Sequence, residues 1–251
     1  MVTTNLTGCV RPAQRGVGHL TGRLRSGGRL TGDGGPPTIP PMIRNAIWDF
    51  DGTLFDTYPA IGQAFQQALA DFGAYAPLSE IEGLARVEMS YCTAELAARF
   101  DLDRDELIRR FAERHSAMPL AAQPPFPGVR EVCETIAALG GVNAIVTHRR
   151  AESTAGLLTV HGLRPLFAEV ITRDDGYPRK PDPAAFTAIL RNQRLDPVET
   201  LAIGDREIDI LAGRAAGLPT CLFRDGPTTV PVDIAIRDFK ELLPFFEPKD
   251  G

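Results

Sequence analysis

Three aspartates fall within eight residues of the stretch IWDFDGTLFDT, which runs from Ile47 to Thr57. Burying a carboxylate costs several kcal/mol unless a cation or hydrogen-bond donors compensate its charge. An Asp-Gly pair at a strand end also favours a plain turn, which would give Asp49 and Asp51 no chemical task. Carboxylates at such a position can instead act as a nucleophile, a metal ligand, or a general acid and base. Polar residues elsewhere in the chain discriminate between these two interpretations.

Further polar residues follow the other apolar runs of the chain. Thr147 ends the run that begins at Val142, and Lys180 lies in YPRKPDP, after the next run. Asp205 and Asp209 belong to GDREID, which follows a later run. Singly, each has an ordinary explanation, such as a loop charge or a helix N-cap. If the runs are parallel strands, however, all of these residues meet at the sheet edge where doubly wound folds bind ligands.

Together these residues suit phosphoryl transfer. Asp49 and Asp205 can share a hard cation, and Mg²⁺ is the expected ion because it prefers carboxylates and retained waters. Asp49 is then expected to attack phosphorus and become an aspartyl phosphate. Asp51 would protonate the leaving oxygen and later take a proton from water. The oxygens of the transferring group would be held by Thr147 and Lys180.

The elements that must position these residues alternate short apolar runs with helical periodicity. We predict strands at Asn45–Phe50, Val142–Thr147, Phe167–Thr172, Thr200–Ile203 and Thr220–Phe223. Helices are predicted between them at Val129–Leu139, Ala151–His161, Pro183–Asn192 and Glu207–Ala216. A further short strand and helix are expected near Val232–Ile236 and Lys240–Phe246. This alternation predicts an α/β fold with a doubly wound, Rossmann-like parallel sheet. Gly52 permits the turn after the first strand, whose N–H groups can point at a phosphate.

One interval breaks the alternation. Between Asp56 and Gly128 only helical stretches occur, at Ala60–Phe72, Leu78–Arg86, Thr93–Arg99 and Asp105–His115. We predict a helical cap inserted after the first strand, although these helices can also pack beside the sheet. The predicted domains are a disordered leader at 1–41, a catalytic core at 42–57 and 126–251, and the cap at 58–125. The leader is rich in glycine and proline and has no hydrophobic periodicity, which predicts disorder. An alternative is that it is upstream sequence translated ahead of a natural start at Met42.

The composition restricts the class of partner. A net charge of -5 argues against a general nucleic-acid binder. No apolar run approaches the ~18 residues of a membrane span. The scattered cysteines form no CxxC pair and indicate reduced thiols, so a cytoplasmic location is expected. We therefore expect a small phosphorylated metabolite as the partner, and a monomer or homodimer.

The motifs also resemble a known family. DFDGT, the run ending in Thr147, Lys180 before Pro181, and GDREID resemble, in order, the four motifs of the haloacid dehalogenase superfamily. The resemblance covers about residues 43–235. The helical interval is similar to the cap of the subgroup that holds phosphoglycolate phosphatases and β-phosphoglucomutases.

The resemblance implies a role for each matching acid. It implies that Asp49 is the nucleophile and Asp51 the acid/base. It implies that Mg²⁺ is bound by Asp49, Asp205 and the backbone carbonyl of Asp51, and that Asp209 tunes the metal site from outside the ligand set.

Two departures from the family pattern stand out. Phosphoglycolate phosphatase-like members usually carry Asn after the second-motif Thr, whereas this chain has His148. His148 is expected to position the backbone, the alternative being contact with substrate or cap. Arg149 and Arg150 are expected to be a solvated helix start. On the cap, which carries no recognisable substrate motif, surface charge is the expected role of Arg86, Arg114 and His115.

The expected function is a Mg²⁺-dependent phosphatase for a small phosphomonoester, phosphoglycolate-like or a sugar phosphate. A phosphosugar mutase of the β-phosphoglucomutase type needs the same aspartates and remains an alternative. A non-catalytic phosphometabolite-binding protein is less favoured because all four motifs are intact. A dehalogenase is disfavoured because family dehalogenases lack the second acid, which Asp51 supplies here.

Overall fold

The computed structural model describes residues 43–224 and 228–246, so the leader predicted at 1–41 lies outside the described residues. Six strands form one sheet in the order β3-β2-β1-β4-β5-β6, and every pairing in it is parallel. The strands are β1 Asn45–Trp48, β2 Asn143–Val146, β3 Glu169–Ile171, β4 Thr200–Gly204, β5 Thr220–Phe223 and β6 Ile234–Ile236. The doubly wound α/β sheet expected from the sequence is confirmed.

Two apolar layers cover the sheet. The helices of the core are α5 Val129–Ala138, α6 Ala151–Val160, α7 Ala184–Gln193, α8 Glu207–Ala215 and α9 Leu243–Phe246. Consecutive residues of β1 enter different layers, since Trp48 packs in the cluster with α5 and α6 while Ile47 packs in the cluster with α7 and α8. Burial on both faces explains why the strands were recognisable as nearly continuous apolar runs.

Four helices lie between β1 and α5, namely α1 Tyr58–Ala70, α2 Leu78–Val87, α3 Met89–Phe100 and α4 Arg104–Ser116. We call residues 58–116 the helical insert. Its apolar side chains, among them Phe65, Ile81 and Leu96, form a hydrophobic cluster of their own, distinct from the two clusters against the sheet. The insert can therefore hold its own shape, although the domain boundaries given above stay a prediction. No helix in the described ranges is long and apolar enough to cross a membrane.

Strands β1, β2 and β3 end one or two residues before the predicted apolar runs, whereas β4 extends one residue further, to Gly204. β1 stops at Trp48, two residues before the expected end, because Phe50 turns into the loop and stacks on Phe55 with ring centroids 4.7 Å apart. Asp49 and Thr147 are consequently the first residues after β1 and β2 rather than members of them. Leaving the strand frees these two side chains to turn toward the sheet edge.

Candidate active site

The sheet edge at the strand ends gathers the candidate residues. Trp48 of β1 is level with Ile145 of β2 and Ile203 of β4, so the residues that follow these strands share one edge. The candidate side chains there are almost fully buried, with Asp49 at 2%, Thr147 at 3%, Lys180 at 5%, Asp205 at 5% and Asp209 at 2% exposure. Groups that the sequence separates by up to 160 positions thus meet in one buried site.

Lys180 is the central cation of this site. Its Nζ donates to Asp49 Oδ1 at 2.5 Å and to the carbonyl of Val146 at 3.0 Å, and it lies 2.6 Å from Asp209 Oδ1. Burial alone would lower the pKa of Lys180, but Asp209 and Asp49 outweigh it and raise that pKa. The ammonium is therefore charged, and it sits beside the proposed nucleophile rather than in a solvated loop.

Among the described residues, three buried carboxylates lie close enough together to share one cation. Oxygens of Asp49, Asp205 and Asp209 all lie within 4.8 Å of one another. Asp49 Oδ2 is buried and has no hydrogen-bond partner in the described part of the chain. An unpaired buried carboxylate oxygen is costly unless a cation compensates it. The donor set therefore fits a hard divalent ion, which takes oxygen ligands.

The pKa shifts reflect the same crowding of charge. Burial, together with repulsion by Asp209, raises the pKa of Asp49 to about 6. Burial, Asp49 and Asp209 raise the pKa of Asp205 to about 8. Burial would also raise the pKa of Asp209, but Lys180 and Arg206 more than offset it and lower that pKa. Burial first, and repulsion between the acids second, thus disfavour the ionised forms of Asp49 and Asp205.

The side chain of Asp51 does not join this cluster. Its Oδ1 accepts a hydrogen bond from Arg149 Nη1 at 2.7 Å. The expectation that Arg149 is a solvated helix start is wrong, since its side chain is only 8% exposed. The guanidinium folds back because Asp51, Gln123 and Ser153 offer acceptors within hydrogen-bond reach. Arg150, by contrast, is exposed and directly precedes α6, as expected. The expected metal contact of Asp51 was through its backbone carbonyl, and that role stays a prediction.

His148 contacts the backbone beside the site. Its Nε2 accepts the N–H of Lys180 at 2.9 Å, and its Nδ1 lies 3.4 Å from Arg179 Nη2. Burial, then the charges of Lys180 and Arg179, lower the pKa of His148 to about 3, so the imidazole is neutral and can accept. This contact suits the backbone-positioning role. A substrate contact of His148 stays a prediction.

Gly52 lies where a side chain cannot fit. Its φ is +80°, and a Cβ on it would be 2.3 Å from the Tyr58 ring and 2.4 Å from Asp205 Oδ2. Its N–H donates to the carbonyl of Phe55 at 2.9 Å. The loop after β1 therefore approaches Asp205 closely only because residue 52 is glycine.

We expect Gly52→Ala to lower kcat for the phosphomonoester hydrolysis expected from the motifs by about 10²-fold. The reason is that the methyl group must displace Asp205 or Tyr58 by more than an ångström. Gly140→Ala is the matched control, since Gly140 has a similar φ of +79° but nothing within 4 Å of its would-be Cβ. The control should share the backbone strain and keep its activity. Equal losses of kcat in the two variants would show that strain, and not the close approach to Asp205, matters at residue 52.

Three residues near the acid cluster were missed or misjudged from the sequence. Tyr58 donates its hydroxyl to Asp205 Oδ2 at 3.2 Å. The Arg206 Nε lies 3.9 Å from both Asp205 Oδ1 and Asp209 Oδ2. Arg86 Nη1 lies 3.9 Å from Asp205 Oδ2, and its guanidinium stacks 4.1 Å from the centroid of the Tyr58 ring. Arg86 is thus turned to the site, contrary to the expected surface role. Adjacency to Asp205 within GDREID was the one available signal for Arg206.

Arg114 and His115, the other two residues of the insert considered from the sequence, have different surroundings. Arg114 pairs with Asp71 at 2.6 Å within the insert and keeps the surface role expected of it. His115 stacks on Phe111, and its Nε2 is buried with no partner in the described part of the chain. Burial, and then Arg149, lower the pKa of His115. His115 is therefore a partly buried, stacked group, and the surface charge expected of it is wrong.

Comparison with known proteins identifies the family. The model of the haloacid dehalogenase-like hydrolases matches residues 46–223, which include every motif discussed above. The chain belongs to the haloacid dehalogenase-like hydrolase family. The resemblance stated from the motifs is therefore confirmed, and the sheet is the sheet of this family.

Several individual proteins of known name or structure are similar to this chain. A phosphoglycolate phosphatase from Agrobacterium fabrum is 29% identical over 218 residues, covering 82% of this chain and 94% of the relative. One from Cereibacter sphaeroides is 32% identical over 195 residues, covering 74% of this chain and 87% of the relative. A solved structure from Haemophilus somnus, of a protein described as a predicted phosphoglycolate phosphatase, matches with a TM-score of 0.71 at 22% identity, covering 82% and 98% of the two chains. The phosphoric monoester hydrolase class expected from the motifs is the class of these named relatives.

Proposed function

We propose that this hydrolase is a Mg²⁺-dependent phosphatase that cleaves a small phosphomonoester through an aspartyl phosphate on Asp49. The observation that carries the proposal is the environment of that carboxylate. Lys180 holds Oδ1, while Oδ2 is buried and unpaired in the described part of the chain. One fixed oxygen and one unpaired oxygen beside a buried ammonium suit attack on an anionic phosphate.

The residues of this chain divide the reaction into two steps. In the first, an Asp49 oxygen bonds to phosphorus, the ester P–O bond breaks, and Asp51 gives its proton to the leaving oxygen. In the second, water attacks the phosphoryl group, Asp51 takes the proton of that water, and the Asp49–phosphorus bond breaks. Thr147 and Lys180 hold the oxygens of the phosphoryl group in both steps.

A divalent ion would be held by the carboxylates of Asp49 and Asp205, with Asp209 beside them. When bound, it supplies positive charge that lets two anions approach each other. We expect Mg²⁺ to raise the unfolding temperature, because it relieves the repulsion among these acids. At 100 times its Kd, the gain in free energy of unfolding should be about 2.7 kcal/mol. Differential scanning fluorimetry of the protein freed of metal measures the shift.

The matched variant for this measurement is Asp205→Asn, which should fold but lose the Mg²⁺-dependent shift. Hydrolysis of an aryl phosphate should likewise stop in chelator and return with added Mg²⁺. Full activity in chelator, with metal verified absent, would contradict the metal assignment.

The substrate we propose is phosphoglycolate or a sugar phosphate. The similarity to named phosphoglycolate phosphatases supports the first. Arg86 supports a substrate with a second anionic group, because its side chain is 46% exposed and its Nη1 lies 3.9 Å from Asp205 Oδ2. We propose a cytoplasmic enzyme with a small phosphorylated metabolite as its substrate, acting as a monomer or homodimer.

A panel of phosphorylated metabolites tests this proposal. Phosphoglycolate should be hydrolysed with a higher kcat/KM than 2-hydroxyethyl phosphate, which has nearly the same size but no carboxylate. Isomerisation of a sugar phosphate without release of phosphate would favour the mutase. Binding without turnover of any member would favour the non-catalytic alternative.

A further inference from the structure

Arg149 joins three segments that are distant in sequence. Its Nη1 donates to Asp51 Oδ1 at 2.7 Å, in the loop after β1. Its Nη2 donates to Gln123 Oε1 at 3.3 Å, in the segment by which the chain returns from the insert. Its Nε donates to Ser153 Oγ at 3.1 Å, in the first turn of α6. Every nitrogen of the guanidinium is thus engaged, each with a different element.

The returning segment is itself fixed to the loop after β1. Gln123 is 1% exposed and follows the short 3-10 helix Leu120–Ala122. Beyond it, the carbonyl of Pro124 accepts the N–H of Asp56 at 2.9 Å, and the N–H of Phe126 donates to the carbonyl of Leu54 at 3.0 Å. A displacement of the returning segment therefore reaches both the Asp51 loop and the Arg149 guanidinium.

We propose that Arg149 is a positioning residue that holds the Asp51 carboxylate in the orientation needed for proton transfer. Through its hydrogen bond to Gln123, it also couples that orientation to the position of the returning segment. The inference deepens the proposed function, in which Asp51 is the acid/base. The guanidinium holds one oxygen of Asp51, which leaves the other for the leaving oxygen or for water. Arg149 itself need not touch the substrate.

Arginine suits this task better than lysine. A guanidinium is a planar fork that can donate to several acceptors in fixed directions, whereas an ammonium is a compact point charge on a flexible stem. Arg149→Lys therefore keeps the charge beside Asp51 but loses the simultaneous contacts to Gln123 and Ser153. Misplacing a reacting group by about 1 Å can cost up to about 10²-fold in rate.

The first test compares Arg149→Lys with Arg150→Lys, its exposed neighbour. For phosphoglycolate, we expect Arg149→Lys to lower kcat by about 10- to 100-fold with KM nearly unchanged. Arg150→Lys should leave both constants unchanged. A rise in KM without a fall in kcat would place Arg149 on the substrate and overturn the proposal.

The second test asks whether Arg149 acts through Asp51. In an Asp51→Asn background, Arg149→Lys should lower kcat no further, because the group that it positions has already lost its function. If the fold-loss of kcat in the double variant equalled the product of the losses in the single variants, Arg149 would act independently of Asp51. That result would overturn the proposal.

Gln123→Met tests the coupling to the returning segment and leaves the Arg149–Asp51 pair in place. Its kcat should fall with KM unchanged, and the loss should shrink in the Arg149→Lys background. An unchanged kcat in Gln123→Met would overturn the coupling, even where Arg149→Lys is too unstable to assay.

Failure of the proposed function has a different signature. If the wild-type protein released phosphate from no phosphomonoester, the proposed phosphatase function would be overturned. The bridge that the hydrogen bonds of Arg149 form between Asp51 and Gln123 would not be. The bridge is then tested by thermal unfolding of Asp51→Asn, Arg149→Lys and the double variant. The double variant should melt no lower than the less stable single variant, and additive losses of melting temperature would overturn the bridge.

Discussion

Asp49→Asn should abolish turnover of every phosphomonoester and form no phosphoenzyme. The amide lacks the nucleophilic oxygen anion that the proposed reaction places on phosphorus. The variant should nevertheless fold, because the amide oxygen can still accept from Lys180, whose ammonium also keeps Asp209 and the Val146 carbonyl. Mass spectrometry of the protein quenched in acid during turnover measures the phosphoenzyme, and release of inorganic phosphate measures the rate.

Asp56→Asn is the matched control, since Asp56 is the third aspartate of the same stretch and lies outside the acid cluster. The control should keep its phosphoenzyme and its rate. A phosphoenzyme formed by Asp49→Asn would show that another residue is the nucleophile. Equal inactivation of both variants would point to damage to the loop rather than to lost chemistry.

The sheet was predictable because burial on both faces leaves a strong signal in the sequence. Ile47 and Trp48 enter different apolar layers, so the run shows no alternation and has the length of a buried strand. The acids and Thr147 were predictable for a related reason, since the parallel register brings the residues after each strand to one edge. The bounds of several strands were misjudged by one or two residues, and for β1 the stacking of Phe50 on Phe55 accounts for the early end.

The arginines were misjudged because their partners are set by tertiary structure alone. Hydrophobic periodicity correctly predicted that a helix begins near Arg150. It carries no information on whether the side chain of Arg149 points toward solvent or toward the site. Arg149 turns inward to Asp51, 98 positions away in sequence. Arg86 lies in the last turn of α2, and only the packing of α2 on α1 turns it over Tyr58. Local patterns therefore predicted that the acids, Thr147 and Lys180 meet at one edge of the sheet, but not which arginines lie beside them.

Asp51→Asn should separate the two half-reactions. Asparagine keeps the size of the side chain but cannot give or take the proton, and general acid–base catalysis is typically worth about 10²–10⁴-fold. We therefore expect kcat for phosphoglycolate, whose alkoxide leaves poorly, to fall by that order, or about 3 to 5 kcal/mol in activation free energy. Arg149 loses its anionic partner in this variant, so a fall in melting temperature should accompany the fall in rate.

An aryl phosphate distinguishes the two steps, because its leaving group departs without a proton. Phosphorylation of Asp49 by the aryl ester should be less impaired in Asp51→Asn than dephosphorylation, which still needs an activated water. Phosphoenzyme should therefore accumulate with the aryl ester, in contrast to Asp49→Asn, which forms none. Single-turnover quench experiments measure both steps. If Asp51→Asn hydrolysed phosphoglycolate at the wild-type rate, Asp51 would not be the acid/base, and its pairing with Arg149 would serve stability alone.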